Sequence, residues 1–361
     1  MKLLKALPLL LLTLSASAQP FDCFGVIAGK NATADGVVYL AHNEDQNGFR
    51  MLNIYNVAAN KKHGAYLWFE WPGVRNGDNY LNEYGVFLTS DRCNSREDKA
   101  TGKILYDVRN SIGPKAKTAR EAVKMIGKLV EKYGYDDSGR SYLVADANEG
   151  WVCSVVKGKH WIAHRVPDDE VMTIPNYYVI GEIDLKDKDN WMGGKDVVKY
   201  AIQRGWYNPE RDGKFNFRKV YSSSKSYNTP RNSNRHKLAQ ETLIGDALLG
   251  DDVVFSRKPK EKVTREALTQ LLCTPPIYNA NTVLSTVAVL YPGKDAVVWT
   301  GFPGMKAEEH FKLTVFDPVP ANYHRYATPE EAAKNHFTEV KGLREKWPAH
   351  FYWNYFKKPE K

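Results

Sequence analysis

Short apolar and β-branched runs, separated by polar turns, recur along the chain between residues 23 and 302. Runs of about four to eight such residues, bounded by Gly, Asn, Asp or Ser, are typical of β-strands. The pattern predicts strands over residues 23–29, 37–42, 53–57, 65–71 and 85–90, over SYLVAD, GWVCSVV and KHWIAHRV, and late in the chain over TVLSTVAVLY and DAVVWTGF.

Helical spacing is clearest over residues 117–134, where apolar residues recur every three or four positions. Thr118 and Glu121 form a capping box at the start of this helix. Three further helices are predicted at 195–205, at 263–272 and at 328–347, and the polar stretch 222–237 is predicted to be a loop. Strands mixed with helices predict an α+β or a layered α/β fold.

The first 18 residues have the pattern of a secretory signal peptide. Two lysines precede a short apolar segment, and Ala16-Ser17-Ala18 is an A-x-A cleavage signal. The apolar segment is too short to span a bilayer. We therefore expect a secreted or periplasmic protein. Residues 19–22 would remain ahead of Cys23, either as a disordered tail or as a short propeptide whose removal makes Cys23 the N-terminus.

Composition is that of an ordinary globular protein, with 43% hydrophobic and 26% charged residues in 361. The formal net charge is +9, and removal of two lysines with the signal peptide leaves +7. The densest basic cluster, residues 257–262, is short and contains Glu261. This favours a solvated loop over a nucleic-acid surface. Length alone allows one large domain or two.

The chain has four cysteines, and none forms a C-x-x-C motif of the zinc or thioredoxin kind. Cys153 lies in an apolar run and is expected to be a buried hydrophobic residue. Cys93 is placed in a polar loop. An exported protein can form disulfides, but the sequence does not define a pairing.

If Cys23 becomes the first residue, it carries two groups that can take part in catalysis. An N-terminal cysteine carries a thiol nucleophile and an α-amine whose reference pKa is about 8. The amine can take the thiol proton directly or through water, as in the pairing of a nucleophile with an N-terminal amine. The alternative is that Cys23 is simply the first core residue of a strand.

The sequence around Cys23 resembles a known family. The stretch CFGVIAGKNATADG, followed by Asn43-Glu44-Asp45, is similar to the start of the dipeptidase A and secernin-like peptidases of the N-terminal-nucleophile (Ntn) hydrolase superfamily. Further resemblances follow in order: NEYGV from Asn82, the helix AKTAREAVKMIGKLVEKYG, YLVADANEGWV, RVPDDEVMTIPNYYVIGEIDL, YNTPR and FSRKPKEKVTREALTQLL. The resemblance implies a four-layer αββα sandwich of the Ntn-hydrolase type over residues 23–361.

The resemblance also implies catalytic roles. Cys23 would be the nucleophile and, through its α-amine, the base. Asp45 would hold the geometry and charge beside it, Asn176 would donate to the oxyanion, and Arg231 would support the site or bind a substrate carboxylate. Asn82 is a weaker candidate. For the last four the competing interpretation is a turn or loop residue.

His42 departs from the pattern of related cysteine acylases, which often have arginine three places before the aspartate. The predicted function is a cysteine-nucleophile dipeptidase without a cofactor, acting on short peptides or on aminoacyl or acyl amides. The alternatives are an N-acyl amidase and a non-catalytic binding protein with this fold. His160 and His164 lack a metal-protease pattern, so the sequence does not favour a metal hydrolase. The sequence predicts no nucleic-acid partner and no membrane span, and it leaves the oligomeric state open.

Overall fold

The computed structural model describes residues 23–45, 54–70, 77–105, 107–227, 229–292, 296–302 and 304–319. The predicted signal peptide, the leader 19–22 and the predicted helix 328–347 lie outside these residues and stay predictions. No helix in the described part of the chain has the length and apolar character needed to cross a bilayer.

Within the described residues, fourteen strands form two sheets in which all neighbours are antiparallel. The six-stranded sheet has the order β10-β1-β2-β12-β13-β14, and the eight-stranded sheet has the order β11-β9-β8-β7-β6-β5-β4-β3. The strands are β1 (Phe24–Ala28), β2 (Val38–Asp45), β3 (Ile54–Val57), β4 (Tyr66–Glu70), β5 (Gly77–Asn82), β6 (Phe87–Arg92), β7 (Tyr135–Ala145), β8 (Gly150–Gly158), β9 (Trp161–Val166), β10 (Val171–Ile174), β11 (Trp191–Gly193), β12 (Thr282–Leu290), β13 (Val297–Gly301) and β14 (Phe311–Thr314).

Six α-helices lie between the strands in the described residues. The helices are α1 (Asp107–Ile112), α2 (Ala119–Tyr133), α3 (Val197–Gln203), α4 (Phe217–Tyr221), α5 (Pro230–Leu243) and α6 (Arg265–Leu272). Thr118 is the N-cap of α2, as predicted, and its side chain accepts from the Glu121 backbone N–H. The predicted capping box is only half formed, because the Glu121 carboxylate accepts from the Lys117 backbone N–H at 2.8 Å.

Three apolar clusters separate four layers. The first lies between the two sheets, where Ile27 and Leu40 of the smaller sheet meet Phe87 and Leu143 of the larger one. The second packs the outer face of the larger sheet against α1 and α2, and the third packs the outer face of the smaller sheet against α5 and α6. The four-layer αββα sandwich expected from the family resemblance is therefore confirmed.

Several elements differ from the sequence-based prediction. The stretch 222–237 is not entirely a loop, because α5 begins at Pro230 with Thr229 as its N-cap. Strand β5 was not predicted, because its sequence GDNYLN is mostly polar although every residue is buried. Cys93 lies in the core between the sheets rather than in a polar loop, and Cys153 is buried as expected.

Candidate active site

Cys23 is positioned by the first hairpin of the chain. Strands β1 and β2 pair in antiparallel register, with Phe24 opposite Asn43. The turn between them contains Gly36 at a φ of 73°, a conformation that glycine adopts without a Cβ penalty. Continuing the register by one residue sets Cys23 opposite Glu44.

Strand alternation determines which side chains surround the thiol. Residues two apart on a strand share a face, so His42 and Glu44 follow Leu40 into the space between the two sheets. Cys23 Sγ lies 3.4 Å from Glu44 Oε2, and both residues are buried. The nucleophile candidate therefore faces the interior of the sandwich, beside a carboxylate and an imidazole.

His42 connects the two sheets at this point. Its Nε2 lies 3.0 Å from Asp91 Oδ1, and its Nδ1 lies 3.1 Å from Thr89 Oγ1. Both partners belong to β6 of the opposite sheet. Burial raises the pKa of Asp91, while His42, Arg235 and Arg140 oppose that effect.

Arg235 of α5 approaches the site from the opposite side of the smaller sheet. It donates from Nη1 to the backbone oxygen of Cys23 at 3.0 Å and from Nη2 to Asn176 Oδ1 at 3.0 Å. A further bond from Nη2 reaches Asn232 Oδ1 at 2.6 Å. A buried guanidinium with several acceptors holds the first residue of the strand in a defined place.

The surroundings of the Cys23 thiol disfavour its ionisation. Burial raises the pKa of Cys23 well above its ordinary value, and the carboxylates of Glu44, Asp91 and Asp45 raise it further. A hydrogen bond from the Asp45 backbone N–H opposes these effects. The thiolate therefore needs additional positive charge nearby to become the dominant form.

The structure brings three of the four predicted catalytic residues together. Asp45 contacts the Cys23 sulfur through its backbone N–H, while its carboxylate accepts from the Asn279 side chain. Asn176 is linked to Cys23 through Arg235, and its Nδ2 donates to the Arg92 carbonyl at 3.0 Å. Their catalytic roles stay predictions.

The fourth candidate, Arg231, and the weaker candidate Asn82 have different surroundings. Arg231 is partly exposed near the start of α5, one turn before Arg235. Asn82 holds the turn between β5 and β6: its Nδ2 donates to the carbonyls of Gly113 and Ala116, and its Oδ1 accepts from backbone N–H groups. These contacts give Asn82 a structural role.

Four residues at the site are not among the catalytic candidates that the sequence indicates: His42, Glu44, Asp91 and Arg235. Two of them carry a usable signal, because His42 and Glu44 alternate with Asn43 at the end of a strand that follows the cysteine strand. Asp91 and Arg235 reach the site only through tertiary packing.

A thiol, an imidazole and a carboxylate meet at this point. Ligand atoms of Cys23, His42 and Glu44 all lie within 4.8 Å of one another. His160 and His164 form no comparable pair: His160 stacks on Tyr200 and His164 on Trp191.

Comparison with known proteins agrees with the family resemblance. Residues 101–275 match the model of peptidase family C69. The chain is 29% identical over 255 residues to the probable dipeptidase B of Streptococcus pyogenes, covering 62% of this chain and 49% of that protein. It is 26% identical over 290 residues to a probable dipeptidase of Latilactobacillus sakei, covering 69% and 59%. Among solved structures it is similar to a Caenorhabditis elegans N-acylethanolamine-hydrolyzing acid amidase ortholog, with a TM-score of 0.41, 12% identity, and coverage of 74% of this chain and 92% of that one.

These matches point to the peptidases as the class of protein that the chain resembles. Within that class the chain is similar to these two probable dipeptidases, and residues 101–275 match the model of peptidase family C69, so the predicted resemblance is confirmed. The chain spans about half the length of the first of these curated relatives, 49%.

The effect of Glu44 on the thiol can be measured directly. Because the Glu44 carboxylate raises the pKa of Cys23, Glu44→Gln should lower that pKa. More thiolate is then present at neutral pH, and alkylation of Cys23 by iodoacetamide should become faster, with its pH profile moved to lower pH. The rate is followed by mass spectrometry of the Cys23 peptide.

Cys273 is the internal reference in the same sample. Burial and Glu308 raise the pKa of that thiol to about 11, and Glu44 is not among the causes. Its alkylation rate should be the same in both proteins. An unchanged Cys23 profile in Glu44→Gln would show that the carboxylate does not control the thiol.

Proposed function

We propose that this chain is an exported cysteine-nucleophile amide hydrolase, a dipeptidase that cleaves short peptides through a thioester. The observation that carries the proposal is the position of Cys23. It opens the central hairpin, faces the space between the sheets, and lies 3.4 Å from Glu44 in a buried polar cluster. Burial of a simple core cysteine would not need such neighbours.

Release of the Cys23 α-amine would change the charge at the site. In the unprocessed chain the Cys23 nitrogen is a neutral amide, and three carboxylates raise the pKa of the thiol. After cleavage the same nitrogen is an amine that carries a positive charge when protonated. The acidic neighbours then have a cation to pair with, and the thiol has a base within its own residue. The leader 19–22 is the segment whose removal achieves this.

The proposed reaction is acyl transfer in two steps. The Cys23 thiolate attacks the carbonyl carbon of the substrate amide, and the α-amine passes the thiol proton to the leaving amine. Water then attacks the thioester and regenerates the thiol. The Asn176 side-chain amide has two N–H hydrogens, and one of them is donated to the Arg92 carbonyl. The second is the donor we assign to the oxyanion.

Arg235 is assigned a positioning role. Its guanidinium fixes the Cys23 carbonyl and the Asn176 amide together, so it sets the distance between the nucleophile and the oxyanion donor. His42 is placed by Asp91 and Thr89 beside the thiol, where related acylases have arginine. The proposed chain organisation is a signal peptide at 1–18, a propeptide at 19–22 and one catalytic domain at 23–361.

The first prediction concerns the N-terminus. Active protein recovered after export should begin at Cys23, because only that form has the α-amine base. Intact-mass measurement and N-terminal sequencing check this. Active protein that retains Gln19 would rule out the α-amine mechanism while leaving a thiol mechanism open.

The second prediction concerns the nucleophile. Cys23→Ala in a chain produced with its N-terminus at residue 23 should lower hydrolysis of a dipeptide panel by roughly 10³-fold or more, since no thioester can form. N-acylated amides are included in the panel to distinguish a dipeptidase from an acylase. The readout is turnover per folded molecule, with the melting temperature measured on the same samples.

Cys153→Ser is the matched control for a buried cysteine outside the site. It lies against α2 on the outer face of the larger sheet, so it should affect stability and leave turnover per folded molecule unchanged. A stability loss with full turnover in Cys23→Ala would instead identify Cys23 as a packing residue.

The third prediction separates two arginines one helical turn apart. Arg235→Lys keeps the charge but loses the planar fork that holds two acceptors. We expect it to lower turnover by at least about tenfold, equivalent to about 1.4 kcal/mol. Arg231→Lys is the control and should retain turnover within about threefold, or about 0.7 kcal/mol. The reverse outcome would restore Arg231 as the functional arginine.

A further inference from the structure

We propose that Cys23, His42 and Glu44 form a binding site for a thiophilic divalent metal ion of the Zn²⁺ type, and that occupation of this site reversibly blocks the nucleophile. The three side chains come from the first hairpin, all face the space between the sheets, and offer ligand atoms within 4.8 Å of one another. The inference concerns the regulation of the site and goes beyond the hydrolysis itself.

The types of ligand atom determine which metal ion the site favours. A thiolate, an imidazole nitrogen and a carboxylate oxygen are the ligands that Zn²⁺ uses in proteins. Thiolate disfavours the hard cations Mg²⁺ and Ca²⁺, which take oxygen ligands. A donor set of one sulfur, one nitrogen and one oxygen therefore favours zinc or a metal of similar softness.

His42 has a carboxylate partner of the kind that supports a metal-bound histidine. Metal-ligating histidines use one ring nitrogen for the metal and the other for a carboxylate, carbonyl or water. The two ring nitrogens of His42 contact Asp91 and Thr89. The metal replaces one of these contacts, and the other contact continues to fix the ring.

The charge of the pocket also favours a cation. Cys23 and Glu44 are buried together, and Asp91 is fully buried with no hydrogen-bond partner for Oδ2 among the described residues. Asp91 and Asp45 add negative charge beside the thiol. A divalent cation offsets this charge and stabilises the thiolate, whose proton leaves to solvent as the Zn–S bond forms. Affinity should therefore increase with pH.

The proposed function supplies a fourth ligand. If processing frees the α-amine of Cys23, that nitrogen and Sγ form a five-membered chelate with the metal. The metal then holds both the nucleophile and the base, and the ligand count reaches the four of a tetrahedral zinc site. This fourth ligand rests on the proposed function, whereas the three side-chain ligands do not.

The test uses the isolated full protein, whose N-terminus is determined by mass. Zinc affinity is measured by competition with a chromophoric chelator at fixed pH. Glu44→Gln and His42→Gln should each weaken binding at the tight site by at least about tenfold, and Asp91→Asn should weaken it by roughly 10–100-fold, the usual effect of losing a partner of a metal-bound histidine. Cys273→Ser, which removes another cysteine beside a carboxylate, should leave the affinity unchanged.

A second measurement needs no substitution and covers the case in which a variant fails to fold. Zn²⁺ should protect Cys23 of the wild-type protein from alkylation and leave the rate at Cys273 unchanged, and a stronger chelator should reverse the protection. Absence of protection, or equal affinity in Glu44→Gln, His42→Gln and wild type, would overturn the proposal. Neither measurement requires peptide turnover, so failure of the metal site and failure of the dipeptidase proposal give different results.

Discussion

The antiparallel pairing of β1 with β2 is the constraint on which the site depends. It sets Cys23 opposite Glu44 and sends His42 and Glu44 into the space between the sheets. Asn43, on the alternate face, donates to the Leu272 carbonyl at the end of α6. A shift of one residue would exchange these two faces, moving the acid and the imidazole away from the thiol and toward the helix layer.

Three layers of the sandwich contribute to this cluster. The hairpin supplies the thiol, α5 supplies Arg235 from outside the smaller sheet, and β6 of the larger sheet supplies Asp91. The sheets approach closely here because Gly25 has no side chain: a Cβ would lie 2.4 Å from Leu143 Cδ2 and 3.0 Å from Asp91 Oδ2. Since no single element contains the site, it exists only when the whole sandwich is assembled.

The sequence predicted the elements whose buried faces are apolar. Helix α2 and the strand run β7–β9 bury Val, Ile and Leu at regular spacing, so periodicity identified them. Helix α5 buries Asn232, Arg235 and His236 along with Ala239. Because this buried face is mostly polar, the sequence shows no helical repeat of apolar residues there. Strand β5 was missed for the same reason. Helix α5 and strand β5 thus use many of their buried positions for polar side chains, while other elements that were not predicted, such as β10, are short.

Only part of the site could be predicted from the sequence, namely the part that has a local sequence signal. Cys23 could be identified from its position after the predicted leader and from the family resemblance around it, both of which are local in sequence. Arg231 and Arg235 are four residues apart on one helix, and only tertiary contact distinguishes them.

The charges around Cys23 determine which ionisation state of the thiol is favoured. Burying a thiol beside Glu44, Asp45 and Asp91 disfavours the thiolate, which is the opposite of what a nucleophile needs. Arg235 and Arg140 act as positive charges on Asp91, and Arg235 also positions the Cys23 carbonyl and Asn176 through hydrogen bonds. In the proposed mechanism the further positive charge comes from the Cys23 nitrogen after processing. While that nitrogen is an amide, the carboxylates keep the pKa of the thiol high, and an ammonium or a bound divalent cation would offset the charge of the same carboxylates. On this reasoning the acidic surroundings and the proposed N-terminal position of the cysteine are two parts of one arrangement, because an ammonium at that position would offset the negative charge that otherwise disfavours the thiolate.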